Sequence, residues 1–275
     1  MSWWEAVVLG IVQGLSEFLP ISSTAHIVLA QKLMGLEFPG LSLEIFLHLA
    51  SALALILYFR RELLEISLGF IRYPFQKRLS DRKNFWLAIY LTVVTAITGL
   101  LGVSLKEVLD AHLKTPLVLG LAFVTTAFFL VFVERIHRHG EKTMDDIRLR
   151  EALWISLAQS IAVIPGVSRA GATLVGGLLV GLKKEDAVRF SFLLALPVIL
   201  GSSVLAFKDW NMSLGADISI EALAIGFVMS FVFSLVGIKW LIAFVQKSRL
   251  IYFAGYCFLL GLFCLTFGRD FLVIS

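Results

Sequence analysis

Residues 3–36 read WWEAVVLGIVQGLSEFLPISSTAHIVLAQKLMGL, an apolar run of about thirty residues broken in its middle by Glu17-Phe18-Leu19-Pro20-Ile21-Ser22-Ser23-Thr24. A second long run, 152–182, is broken in the same way by Pro165-Gly166-Val167-Ser168-Arg169. Backbone that leaves its helical hydrogen bonds inside lipid is costly, so such breaks persist only where protein or water surrounds them. Both runs are therefore expected to be hairpins of two short helices that enter and leave on one side.

Further apolar runs fall at 43–59, 86–103, 116–133, 190–207, 218–245 and 250–268. About 20 residues carry a helix across roughly 30 Å of hydrocarbon, so each of these six reads as one span. The chain is 59% hydrophobic and 16% charged, beyond the roughly 45–50% apolar content of soluble domains. The fold class expected is an all-α polytopic membrane protein of about ten helices, six spanning plus two re-entrant hairpins. Its basic balance marks loops between spans and not one nucleic-acid-binding face, so no nucleic acid is expected as a partner. Cys257 and Cys264 lie seven apart in an apolar helix, a packing pattern with neither zinc-site nor disulfide spacing. Glu5 stands where a signal peptide would carry positive charge and no cleavage site follows, so the first segment reads as mature protein.

Charge sets the expected topology. Lysine and arginine number 7 in 60–85, 5 in 134–151, 3 in 183–189 and 3 in 239–249; the opposite loops hold only Lys32, Lys106, Lys114, Lys208 and Arg269. The positive-inside rule then places the four basic segments in the cytoplasm and both termini outside. Two full double spans in place of the hairpins would sort the charges equally well. An offset of 146 residues aligns Gln13 with Gln159, Ser22 with Ser168, Ser23 with Arg169 and Phe46 with Phe192. The reading is one integral membrane domain, 1–275, built of halves at about 1–135 and 150–275 that are joined by a cytoplasmic loop. Each half is one hairpin plus three spans. Three is odd, so the halves are inverted, and inverted repeats bring broken helices to a midplane site.

The first break offers Gln13, Glu17, Ser22, Ser23, Thr24 and His26. Gln13 and Glu17 share a helical face, and a carboxylate in apolar surroundings needs a partner, water or a metal. Its structural alternative is a cap or an interhelical hydrogen bond. Ser22, Ser23 and Thr24 follow Pro20 where a new helix starts, which suits capping and also an anion at the exposed amides. His26, three residues past Ser23, is within one turn of a hydroxyl that it could polarise, or it could attack phosphorus itself. The second break offers Ser168, Arg169 and Thr173. The planar guanidinium of Arg169 matches a phosphate, and a salt bridge to Glu17 is its plainer use.

Gly10 to His26, Pro165 to Thr173, Phe46-Leu-His48-Leu and Phe190 to Pro197 together resemble the signature stretches of the undecaprenyl-pyrophosphate phosphatase family, the bacitracin-resistance membrane proteins, over essentially the whole chain. The resemblance implies hydrolysis of undecaprenyl pyrophosphate to the monophosphate and inorganic phosphate, with a divalent cation such as Mg2+ or Ca2+. It implies a bacterial cytoplasmic (inner) membrane protein with its site facing the periplasm or exterior, recycling carrier lipid for the cell wall. His26 and Arg169 match the family's essential histidine and arginine, Glu17 its glutamate, and Ser23 a proposed nucleophile. Gln13 stands where the family has glutamate or glutamine; a glutamine supplies neither a base nor a negative ligand. Ala25 and Ala50 replace family glycines, and Ala170 replaces a serine. Asp145, in the cytoplasmic loop, matches a frequent family aspartate and reads as structural.

The expected site assigns Glu17, Ser23, His26 and Arg169 to catalysis. Gln13, Ser22, Thr24, Ser168, Arg169 and Thr173 would bind substrate, and Glu17 with Gln13 would hold the metal. Attack by Ser23 with His26 as base, by His26 directly, or by metal-bound water all fit. The rival is a transporter or flippase for a phosphorylated lipid or other anion, since inverted repeats with broken helices are a common transporter plan. The partners expected are undecaprenyl pyrophosphate and membrane lipids. A homodimer is compatible with the sequence, which does not set the oligomeric state.

Overall fold

The structure, a computed structural model, describes residues 1–36, 42–112, 115–136, 140–164, 166–208, 218–247 and 249–272. Pro165 of the second break and Lys114 lie outside them. The described residues form eleven α-helices and one 3-10 turn, Met144–Asp146. The first long run becomes α1 (Trp3–Phe18) and α2 (Ser23–Leu33). The second becomes α7 (Leu149–Ile161) and α8 (Arg169–Leu179). At 16, 11, 13 and 11 residues, none of the four has the length that a span requires.

Local chemistry sets these ends. Glu5 caps the start of α1, its carboxylate accepting from the Ser2 amide at 2.7 Å. Leu19 precedes Pro20, whose ring disfavours helical geometry there, and α1 stops with Leu19 extended. Ser22 then takes φ of +71°, a left-handed value that costs a non-glycine residue about 1–3 kcal/mol, and α2 starts at the next residue. In the second pair Ser168 caps α8 by accepting a hydrogen bond from the Gly171 amide at 3.0 Å.

Among the described residues, helices α5 (Leu79–His112), α6 (Pro116–Ile136), α9 (Lys184–Lys208), α10 (Ile220–Gln246) and α11 (Leu250–Leu272) contain the five stretches long and apolar enough to cross a membrane. A sixth appears only if α3 (Ser42–Tyr58) and α4 (Arg60–Gln76), bent by 82° at Phe59, count as one span. Helix α4 is the departure from the expected count of about ten. The 60–85 segment reads as a charged loop because arginines and glutamates dilute its hydropathy. In the structure, Leu63 and Ile66 pack against the core while Arg60, Arg61 and Glu65 face outward.

Close backbone approach holds the array together. A Cβ on Gly14 would lie 2.5 Å from the Ser230 carbonyl oxygen, so α1 meets α10 along a seam that admits only small residues. Ser51 of α3 bonds Ser230 and Ser234 of α10 at 3.2 and 2.9 Å, and Ser230 donates to the Leu47 carbonyl at 2.9 Å. These hydroxyls are satisfied across the interface, as buried polar groups in an apolar setting require. The four basic segments gather at one end of the array. Lys83 pairs with Asp145 at 2.5 Å, Arg189 with Glu62 at 3.1 Å, and Gln246 contacts Glu185 at 3.5 Å.

Candidate active site

Helix α1 ends with Gln13 and Glu17 one turn apart, and both are buried. Gln13 Nε2 donates to Glu17 Oε2 at 3.0 Å, and the Ser23 hydroxyl at the start of α2 donates to the same oxygen at 2.6 Å. From the second break, Arg169 at the start of α8 donates through one terminal nitrogen to Glu17 Oε1 at 2.5 Å and through the other to the Ala195 carbonyl at 3.0 Å. The two breaks meet at one carboxylate.

A fourth group completes the set. His48 of α3 places Nε2 3.3 Å from Glu17 Oε2, while its Nδ1 lies 2.6 Å from the Glu44 carbonyl. Both ring nitrogens face oxygen acceptors, which a doubly protonated imidazole satisfies. The Glu17 side chain is 3% exposed, against 18% for Arg169 and 21% for His48. An anion arriving at the site therefore meets the two cationic groups before it meets the carboxylate.

His26 takes a different place. Its Nδ1–H donates to the Ser22 carbonyl at 2.7 Å and its Nε2 accepts from the Tyr256 hydroxyl at 2.7 Å. Its ring also stacks on Tyr256 and meets Phe123 edge-on. The hydrogen bond of Ser23 goes to Glu17, and His26 is tied to the strained Ser22 turn that presents Ser23. Among the other expected binding residues, Ser168 Oγ serves the α8 cap, and Thr173 donates to the Arg169 carbonyl at 2.9 Å and meets Ser191 Oγ. Thr24 is half-buried on the first turn of α2.

Two groups of the cluster go unnamed among the expected site residues. His48 sits in an otherwise apolar segment, so the rule that singles out Glu17, an ionisable group inside a span, applies to it equally. Tyr256 carries no such signal, since a tyrosine in a membrane helix is ordinary; only the packing of α11 beside α2 makes it a partner of His26.

The oxygen donors suit a hard cation in a limited way. Gln13 Oε1 is buried without a hydrogen-bond partner beside Glu17. One carboxylate and one amide oxygen fit an ion that retains waters and draws further ligands from a phosphate. No group of three or more His, Cys, Asp or Glu side chains placed to hold a metal occurs among the described residues.

Comparison with known proteins adds to this geometry. The family model described as bacitracin resistance protein BacA matches residues 6–263. The chain is similar to undecaprenyl-diphosphatase 2 of Halalkalibacterium halodurans, 49% identical over 96% of this chain and 95% of the relative. It is also similar to undecaprenyl-diphosphatase 1 of Shouchella clausii, 47% identical over 97% of each chain. Undecaprenyl-diphosphatase of Oceanobacillus iheyensis is 34% identical over 97% of this chain and 98% of its own.

Proposed function

Because the chain belongs to the bacitracin resistance protein BacA family, we propose that it hydrolyses undecaprenyl pyrophosphate to undecaprenyl phosphate and inorganic phosphate, returning carrier lipid to envelope synthesis. The observation that carries the proposal is the convergence of Ser23 and Arg169 on Glu17, a hydroxyl nucleophile and a phosphate-binding fork held by one carboxylate.

The terminal phosphate displaces Arg169 from Glu17 and takes its two N–H donors, with His48 as a second cationic neighbour. Ser23 Oγ attacks the terminal phosphorus in line with the bridging oxygen, and its proton passes to Glu17 Oε2. The bridging P–O bond breaks, Glu17 passes that proton to the departing undecaprenyl phosphate, and Ser23 is left phosphorylated. Water then attacks that phosphorus, Glu17 takes its proton and hands it to Ser23 Oγ as the Ser23 O–P bond breaks, and inorganic phosphate is released. His26 fixes the Ser22 turn through the Ser22 carbonyl and so aims Ser23. Glu17 and Gln13 Oε1 would hold a divalent cation, Mg2+ or Ca2+, which supplies charge neutralisation to the pyrophosphate. Ser22, Thr24 and Ser168 bind substrate only through the starts of α2 and α8, where free amides favour an anion, and Thr173 serves it indirectly, through its hydrogen bond to the Arg169 carbonyl.

The topology proposed with this activity is an inverted repeat within one membrane domain, its halves at about 1–135 and 150–275. The helix pairings support it: α1 packs on α10 as α7 packs on α5, α3 on α10 as α9 on α5, and α2 on α11 as α8 on α6. Ser22 and Ser168 each precede the second helix of a pair. The gathered basic segments support a cytoplasmic end there, both termini outside, and a site open to the periplasm or exterior.

Phosphate release from undecaprenyl pyrophosphate by the detergent-purified protein tests the activity. Wild type is expected to release phosphate with Mg2+ or Ca2+ and to lose the activity in EDTA; Glu17→Gln and Arg169→Ala are expected to lose it while still folded. A folded wild type that releases none with either ion would overturn the enzyme reading in favour of anion or lipid transport.

A further inference from the structure

A cavity of about 1020 Å³ opens at the basic end of the helix array, and it shares no lining residue with the Glu17 cluster. Four segments form it: the α3–α4 elbow, the start of α5, the 3-10 turn at 144–146 with its flanks, and the start of α9. Two of its cations are neutralised, Lys83 by Asp145 and Arg189 by Glu62. Asp186 accepts from the Met144 amide at 3.3 Å. Arg60, Arg61 and Arg82 have no carboxylate partner among the described residues, and Glu65 is the remaining acid in the lining. Three arginines lining one solvent-open cavity, Arg60 also donating to the Leu57 carbonyl at 3.3 Å, call for an anion with several oxygens.

The walls indicate where that anion comes from. Helix α4 turns 82° from α3 and exposes Leu64, Phe70, Ile71 and Phe75, four apolar side chains on a helix that also carries Arg60, Arg61, Glu62, Glu65 and Arg72. Such a helix lies along a membrane surface with its apolar side chains in the acyl boundary. Tyr58, Trp86 and Tyr90 line the same cavity, and Trp86 stacks on Tyr90 with centroids 5.9 Å apart; aromatic residues of this kind mark the headgroup level. A polar, arginine-rich cavity beside an interfacial helix matches the way basic pockets between helices take phosphate headgroups. We propose that this cavity binds the headgroup of an anionic phospholipid, with Arg60, Arg61 and Arg82 on its phosphate oxygens and α4 against its acyl chains. The site is separate from the proposed catalytic one and stands whether or not that reading holds.

Native mass spectrometry of the detergent-purified full chain tests this, with equal phosphatidylglycerol and phosphatidylcholine added and inorganic phosphate as competitor. Wild type is expected to retain phosphatidylglycerol preferentially. The preference should fall roughly fivefold in R82Q and more than tenfold in R61Q/R82Q, with lipid-free melting temperature and phosphate release unchanged. Inorganic phosphate at millimolar concentration should leave the lipid in place. Equal retention of the two lipids by wild type overturns the proposal, as does an undiminished preference in folded R82Q. Displacement by inorganic phosphate would also overturn it, identifying a soluble-anion site instead. If the double variant does not fold, R82Q alone decides.

Discussion

Ser23 has two candidate partners within reach along the chain, Glu17 six residues before it and His26 three after. The structure gives its hydrogen bond to Glu17 because the Ser22 turn points the first residue of α2 back toward the end of α1. Ser23→Ala should therefore lower phosphate release by roughly a thousandfold or more in folded protein, the scale of a lost nucleophile with its base. His48 acts through Glu17, so His48→Ala should lower kcat by about 10–100-fold with the pair Glu17–Arg169 still formed. Steady-state kinetics with thermal melts separate the two effects. Removing one member of the buried pair differs again: Arg169→Ala leaves Glu17 buried and should cost about 3–5 kcal/mol of stability besides activity. A melting temperature equal to wild type would show that the pair contributes nothing to the fold.

Between helices, the tightest constraint on the site is the seam of α1 on α10. Glu17 is carried by α1, and α1 is held at its distance by Gly14 against the Ser230 backbone. A methyl group there has no room, and neither helix backbone can yield without moving the Glu17 carboxylate. Gly14→Ala should destabilise the protein by about 1–3 kcal/mol and lower release per folded molecule; thermal melts in detergent with parallel kinetics check both. An alanine variant with wild-type melting and kinetics would mean that the helices part freely. By contrast, Gly99 has no neighbour around its missing Cβ, and Gly99→Ala should leave activity unchanged.

For the molecule as a whole, the proposed topology makes a prediction that no local feature does. In a variant with Cys257 and Cys264 replaced by alanine, a cysteine at Lys77 should react with a membrane-impermeant thiol reagent only in inverted vesicles. A cysteine at Trp3, an exposed residue at the opposite end of the proposed arrangement, should react in intact cells. Labelling of both positions from one side would overturn the proposed topology, because the hairpin returns to its own side and the single span over 43–59 is what separates them.

By itself the amino-acid sequence determined the class of the fold and the location of its breaks. Hydropathy over windows as long as a span is a local property, and so is the conflict between Pro20 and helix continuation. Glu17 and Arg169 are also visible there, since a charge in an apolar run needs a reason wherever it ends up. The tertiary structure alone decided who meets whom. It brought Arg169 to Glu17 across 152 residues, gave Ser23 to Glu17, set His26 on Tyr256 and delivered His48 from α3. Those contacts depend on how α1, α3, α8 and α11 cross, and crossing is set by the packing of small residues between helices, which no single segment encodes. Helix α4 and its cavity belong to the same class, because a charged amphipathic segment reads as a loop until a neighbour and a surface give its two faces something to meet.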